Sequence, residues 1–168
     1  MPVRRLTACS LLTAIALTIF VLEAQIPLPL PVPGLKLGLS NIVTVFALAV
    51  LGWKETLAIV LLRIVLGNLL VGQSMAMLYS LAGGLLSFLC MALILRVLKK
   101  NQLWVCGVFG VIAHNIGLMA VAVAVTATPA LWMYLAVLLP CGIETGAFIG
   151  LCAQLLRNMF LKDHPDSR

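Results

Sequence analysis

The run Leu103-Trp-Val-Cys-Gly-Val-Phe-Gly-Val-Ile-Ala-His-Asn-Ile-Gly-Leu-Met-Ala-Val-Ala-Val-Ala-Val125 is apolar from end to end, apart from His114 and Asn115 near its middle. A helix needs about 20 such residues to cross the hydrocarbon core of a bilayer. The run therefore reads as a membrane span, and similar runs flank it. Lys99-Lys100-Asn101-Gln102 separates it from an apolar run over 77–98, and Thr126-Ala-Thr-Pro129 separates it from another over 131–156. Upstream lie candidate spans at 6–26, 37–51 and 56–71, the second and third short for a bilayer. The expected class is all-α: a polytopic membrane bundle of about six helices in a single transmembrane domain covering 1–168.

Composition agrees. Hydrophobic residues make up 63% of the chain and charged residues 10%, against roughly half and a quarter in ordinary soluble domains. Mean hydropathy is +1.18. The net charge of +6 forms no basic stripe with interleaved aromatics, so nucleic acid is not an expected partner. Apart from Arg63, the cations sit at the ends of apolar runs. With the N-terminus in the cytoplasm, Arg4, Arg5, Lys54, Arg96, Lys99, Lys100, Arg157, Lys162 and Arg168 fall inside and Lys36 outside, as the positive-inside rule requires. Both termini are then cytoplasmic, with 157–168 a cytoplasmic tail. Pro27-Leu-Pro-Leu-Pro-Val-Pro33 cannot continue a helix, so 27–36 is expected to be a stiff external loop. Arg4 and Arg5 before the first span resemble a secretory signal, but the run is long, lacks an A-x-A site and contains Glu23. It reads as an uncleaved helix.

Polar groups inside spans are expensive and ask for a reason. Arg63 falls mid-span, His114 and Asn115 likewise, Glu144 slightly inward of the middle, and Asn41 and Asn68 toward the outer side. One reading is a buried ion pair between Arg63 and Glu144, with the amides joining helices. The other is a ligand cavity lined by Asn41, Arg63, Asn68, His114 and Asn115, with Lys36 and the proline loop above it. Glu23 reads as an interfacial group. Ser10, Ala14 and Thr18 put small residues on one face of the first span, suited to internal packing or to docking a partner helix. Gly142, Gly146 and Gly150 read as internal packing. The five cysteines form no C-x-x-C pair and read as small hydrophobes. No metal site and no cofactor are expected.

Pro33-Gly-Leu-Lys-Leu-Gly-Leu-Ser-Asn41 resembles the P-G-[IL]-K-L-G-x-x-N signature of the Gx transporter family, which often carries the label heptaprenyl diphosphate synthase component I. Arg63 with Gly67 and Gly72, Ala82-Gly83-Gly84, and Ala113-His114-Asn115-Ile-Gly117 follow in the family's order. The chain departs from the pattern at Leu118, where Gln is usual. The resemblance implies a prokaryotic cytoplasmic-membrane protein. Its fold would be that of the substrate-binding S components of energy-coupling factor (ECF) vitamin transporters. It also implies an outward-facing pocket, a lid after the first helix, and a coupling module of a transmembrane subunit and ATPases docked on the Ser10–Ala14–Thr18 face.

The synthase label can be weighed against the residues. Prenyl diphosphate synthases hold Mg²⁺ on clustered aspartates, whereas the aspartates here are Asp163 and Asp166, both in the tail. Autonomous catalysis is not expected, and no catalytic residue is assigned. Two functions remain. One is an S-component-like protein binding a vitamin-like ligand. The other is an accessory subunit of an isoprenoid, quinone or membrane electron-transfer pathway.

Overall fold

A computed structural model describes residues 3–26, 38–72, 74–98 and 102–163. The proline loop and Lys36 lie outside the described residues. Regular structure within them is entirely helical: α1 (Val3–Ala24), α2 (Asn41–Val50), α3 (Trp53–Val71), α4 (Ser74–Val97), α5 (Leu103–Thr126), a 3₁₀ segment (Pro129–Tyr134) and α6 (Leu135–Asp163). Four segments are long and apolar enough to cross a membrane: Arg5–Ala24, Met75–Val97, Leu103–Thr126 and Pro129–Met159. The protein is an all-α helical membrane bundle.

Three boundaries differ from the sequence expectation. The second span, expected over 37–51, becomes helical at Asn41. Gly38 has φ +78°, a left-handed conformation that breaks the helix and suits glycine. Ten residues at 1.5 Å per residue give α2 only about 15 Å, half a bilayer core. The third helix starts at Trp53, not 56, because Gly52 at φ 106° ends the turn. Glu55 then sits in the first turn, where a carboxylate complements the helix dipole, and it meets Arg5 at 3.6 Å. The sixth helix begins as a 3₁₀ segment and continues past 156 to Asp163.

α5 is the central element, packed between α4 and α6. Glycines set these crossings. A Cβ at Gly107 would collide with the carbonyl oxygen of Gly146 and lie 2.8 Å from the Gly150 backbone, while one at Gly117 would lie 2.9 Å from the Ala82 carbonyl. Backbones this close leave room for no side chain, and the gain is dispersion contact along the whole crossing. Val45, Met91, Leu103, Cys106, Val111, Ile149 and Ala153 fill the core between α2, α4, α5 and α6. α1 lies at the edge, on α3 and α2, with Ala16, Phe20 and Glu23 turned inward. Phe20 fits over Gly67 of α3.

Candidate functional site

The short α2 places its N-terminus beside the middle of α3. Arg63, halfway along α3 and 2% exposed, donates from Nη1 to the Ser40 Oγ at 2.7 Å and from Nη2 to the Asn41 Oδ1 at 3.5 Å. The backbone N–H of Gly38 donates to the Glu23 carboxylate, and that of Leu39 does so at 3.2 Å. Glu23 is 4% exposed and lies close enough to Arg63 to stabilise its charge. α1, the segment entering α2, and α3 are thus tied by one acid and one base.

His114 of α5 closes the cluster. Its ring is flanked by two glycines: a Cβ on Gly38 would lie 3.4 Å from Cδ2, and one on Gly83 would lie 3.0 Å from Nδ1 and 2.8 Å from the His114 carbonyl. Between these groups is a cavity of about 10 Å³, lined by Glu23, Gly38, Ser40, Arg63, Ser80 and His114, with Phe20 and Ile64 as apolar walls. That volume suits one water molecule. Arg63 Nε and Asn41 Nδ2 are buried with no hydrogen-bond partner among the described residues.

Of the residues expected to line a cavity, Arg63 and His114 do so, and Asn41 joins them through Arg63. Asn68 is buried, but its Nδ2 donates to the Ile64 carbonyl of its own helix at 2.7 Å. Asn115 turns to α6, donating to the Leu138 carbonyl at 3.2 Å. Lys36 lies outside the described residues. The Arg63–Glu144 pair is not formed. Glu144 is exposed on α6, and Glu23, read from sequence as interfacial, is the carboxylate that lies near Arg63 and lines the same cavity. The signal for Glu23 is its spacing: with Ala16 and Phe20 it follows an i, i+4, i+7 face. Ser10, Ala14 and Thr18 are exposed on α1. The Ser10 and Thr18 hydroxyls bond carbonyls of their own helix at 3.1 and 3.0 Å.

These features define a polytopic helical membrane protein with a half-spanning helix whose N-terminus meets a buried arginine and carboxylate. The chain belongs to the heptaprenyl diphosphate synthase component I family, whose model matches residues 12–156, from α1 into α6. Comparison with curated proteins and with solved structures gives no match. The family description names one component of a synthase, which implies a second component beside it. The coarse assignment is a membrane-associated accessory protein.

Proposed function

We infer that the chain is a non-catalytic, ligand-binding membrane protein of the S-component type, receiving a small molecule with an anionic or carbonyl group at the Arg63 cluster. The observation that carries this reading is the N-terminus of α2 within the bundle, level with Arg63. Discontinuous membrane helices present such ends to anionic groups of their substrates, because the first-turn N–H groups and the helix dipole both favour negative charge. Arg63 supplies charge and forked donors, its Nε and the Asn41 amide hold unspent hydrogen-bond capacity, and His114 adds a further polar contact. Lys36 and the proline loop belong to the mouth of the site in this reading. The exposed Ser10–Ala14–Thr18 face belongs to a transmembrane coupling subunit served by ATPases.

The family description favours a second reading. The protein then serves prenyl diphosphate or quinone synthesis as a membrane component, and its ligand is an isoprenoid phosphate or prenylated quinone.

Mass spectrometry of small molecules co-purifying with the protein in nanodiscs separates the two. Arg63→Ala tests the site directly, and Asn41→Ala tests it with both Glu23 and Arg63 in place. A water-soluble vitamin-like compound lost from both variants supports the first reading. An isoprenoid compound lost from both supports the second. A compound retained by both variants refutes the site.

A further inference from the structure

Glu144 occupies an unfavourable place for a carboxylate. Gly142 lies against Asn115, near the middle of α5, and Gly146 lies against Val108. Glu144, between them in sequence, is therefore close to mid-depth in the bundle. It does not face α5. Gly142, Gly146 and Gly150 take that side of α6, and at 100° per residue Glu144 projects from the opposite side. It is exposed and makes no hydrogen bond or ion pair among the described residues. A carboxylate aimed from a bundle into hydrocarbon is rare, and it marks a pathway or a partner.

The neighbours of Glu144 on this face make a seam. Cys141, Glu144, Phe148, Leu151 and Leu155 follow a 3-4-3-4 spacing, and all are exposed. That is the spacing by which one helix interlocks with another at a small crossing angle. The seam runs about 21 Å along α6 at 1.5 Å per residue.

We propose that this face of α6 docks a transmembrane helix of a different protein, one that presents a basic side chain to Glu144 at mid-membrane depth. Charge complementarity selects this occupant. A second copy in the same orientation would bring Glu144 against Glu144 across a two-fold axis, joining like charges in a medium that screens them poorly. The seam offers no cation of its own at this depth. Lys162, the base in the last turn of α6, lies about 27 Å further along the axis. A lipid headgroup cannot reach mid-depth. The inference is independent of the ligand at Arg63, since the two carboxylates lie on different helices and face opposite environments.

Photo-crosslinking of the full chain in its native membrane tests it, with a benzophenone amino acid in place of Phe148 and, as a control, of Leu69 on the outward face of α3. The expected product from position 148 is a crosslink to another membrane protein, mapped to a helix carrying Arg, Lys or His within two turns. Glu144→Leu lowers its yield by about tenfold, equivalent to about 1.4 kcal/mol and within the range of interhelical polar contacts. Exchanging the charges, Glu144→Arg against an acidic replacement of the partner's base, restores it. Because Glu144 is exposed, Glu144→Leu leaves thermal stability in nanodiscs unchanged, which separates lost docking from lost folding. Crosslinks to lipid alone, a product of twice the chain's mass, or a yield indifferent to Glu144→Leu each overturn the proposal.

Discussion

Removing the carboxylate of Glu23 leaves the N–H groups of Gly38 and Leu39 without their acceptor and takes a negative charge away from the surroundings of the buried Arg63 guanidinium. All lie where water has little access. Leaving buried donors without their acceptor costs about 1–3 kcal/mol, and the buried Arg63 loses a nearby opposite charge as well. Glu23→Gln, which preserves shape and one acceptor oxygen, is expected near the lower end, and Glu23→Ala near the upper. Arg63→Gln removes the charge near Glu23 and alters the contacts to Ser40 and Asn41, and costs a similar amount, although Glu23 keeps its two backbone donors. The double variant Glu23→Gln/Arg63→Gln strands neither charge. Its cost is expected to fall short of the sum of the single costs by about 1–3 kcal/mol, the coupling seen for groups in one network. Chemical denaturation of the four proteins in one detergent, followed by tryptophan fluorescence, completes the cycle. Additive losses would show that the two charges do not sense each other, and the account of the cluster would fall.

Two further substitutions probe the frame. Gly107→Ala puts a methyl group against the Gly146 carbonyl and the Gly150 backbone. Neither can swing away as a side chain would, so α5 and α6 must part, with an expected loss of at least about 1–3 kcal/mol, read as a lower melting temperature. Asn115→Ala removes the hydrogen bond to the Leu138 carbonyl and is expected to lose about 0.6–1.7 kcal/mol without altering ligand retention. Altered retention at unchanged stability would place Asn115 in the site after all.

The fold was legible wherever length and apolarity suffice. α4 and α5 appear near their expected bounds, since a long run between basic or proline-containing breaks has few alternatives in a bilayer. α2, expected to be short, starts later than its apolar run, because the left-handed conformation at Gly38 holds the helix off until Asn41. The site was legible as a set of residue types more than as a constellation. His114 and Asn115 look like a pair in sequence, yet adjacent helical residues diverge by 100°: one faces Gly83 and the cavity, the other α6. Ser40 reads as an ordinary helix start, and nothing local reveals that the start lies beside Arg63. The reading that paired Glu144 with Arg63 rested on both being charges within spans, and nothing in the sequence told which face of α6 carries Glu144. Glycines that face a helix and leucines that face lipid both score as apolar, so hydropathy alone cannot orient that helix.

The half-length of α2 explains why an acid is needed in α1 at all. Backbone that leaves a helix inside a bundle must find its hydrogen bonds within the protein. Asn41 and Ile42 meet this need with their own turn, donating to the carbonyls of Gly38 and Leu39 at 2.9 and 3.1 Å. The N–H groups of Gly38 and Leu39 donate instead to the carboxylate of Glu23. Glu23 therefore occupies the position that an anionic ligand would take at the end of a half-helix, while its charge compensates Arg63. Among the described residues the remaining space is about 10 Å³, enough for a water molecule. A ligand that takes the end of α2 displaces Glu23 from these N–H groups, moving the Gly38–Ser40 segment or the end of α1. On this reasoning Glu23→Gln weakens the internal occupant and tightens binding of an anionic ligand, whereas Arg63→Gln weakens it. Titration of both variants with the compound identified by mass spectrometry decides the matter: parallel losses of affinity would make Glu23 a ligand contact and not a competitor.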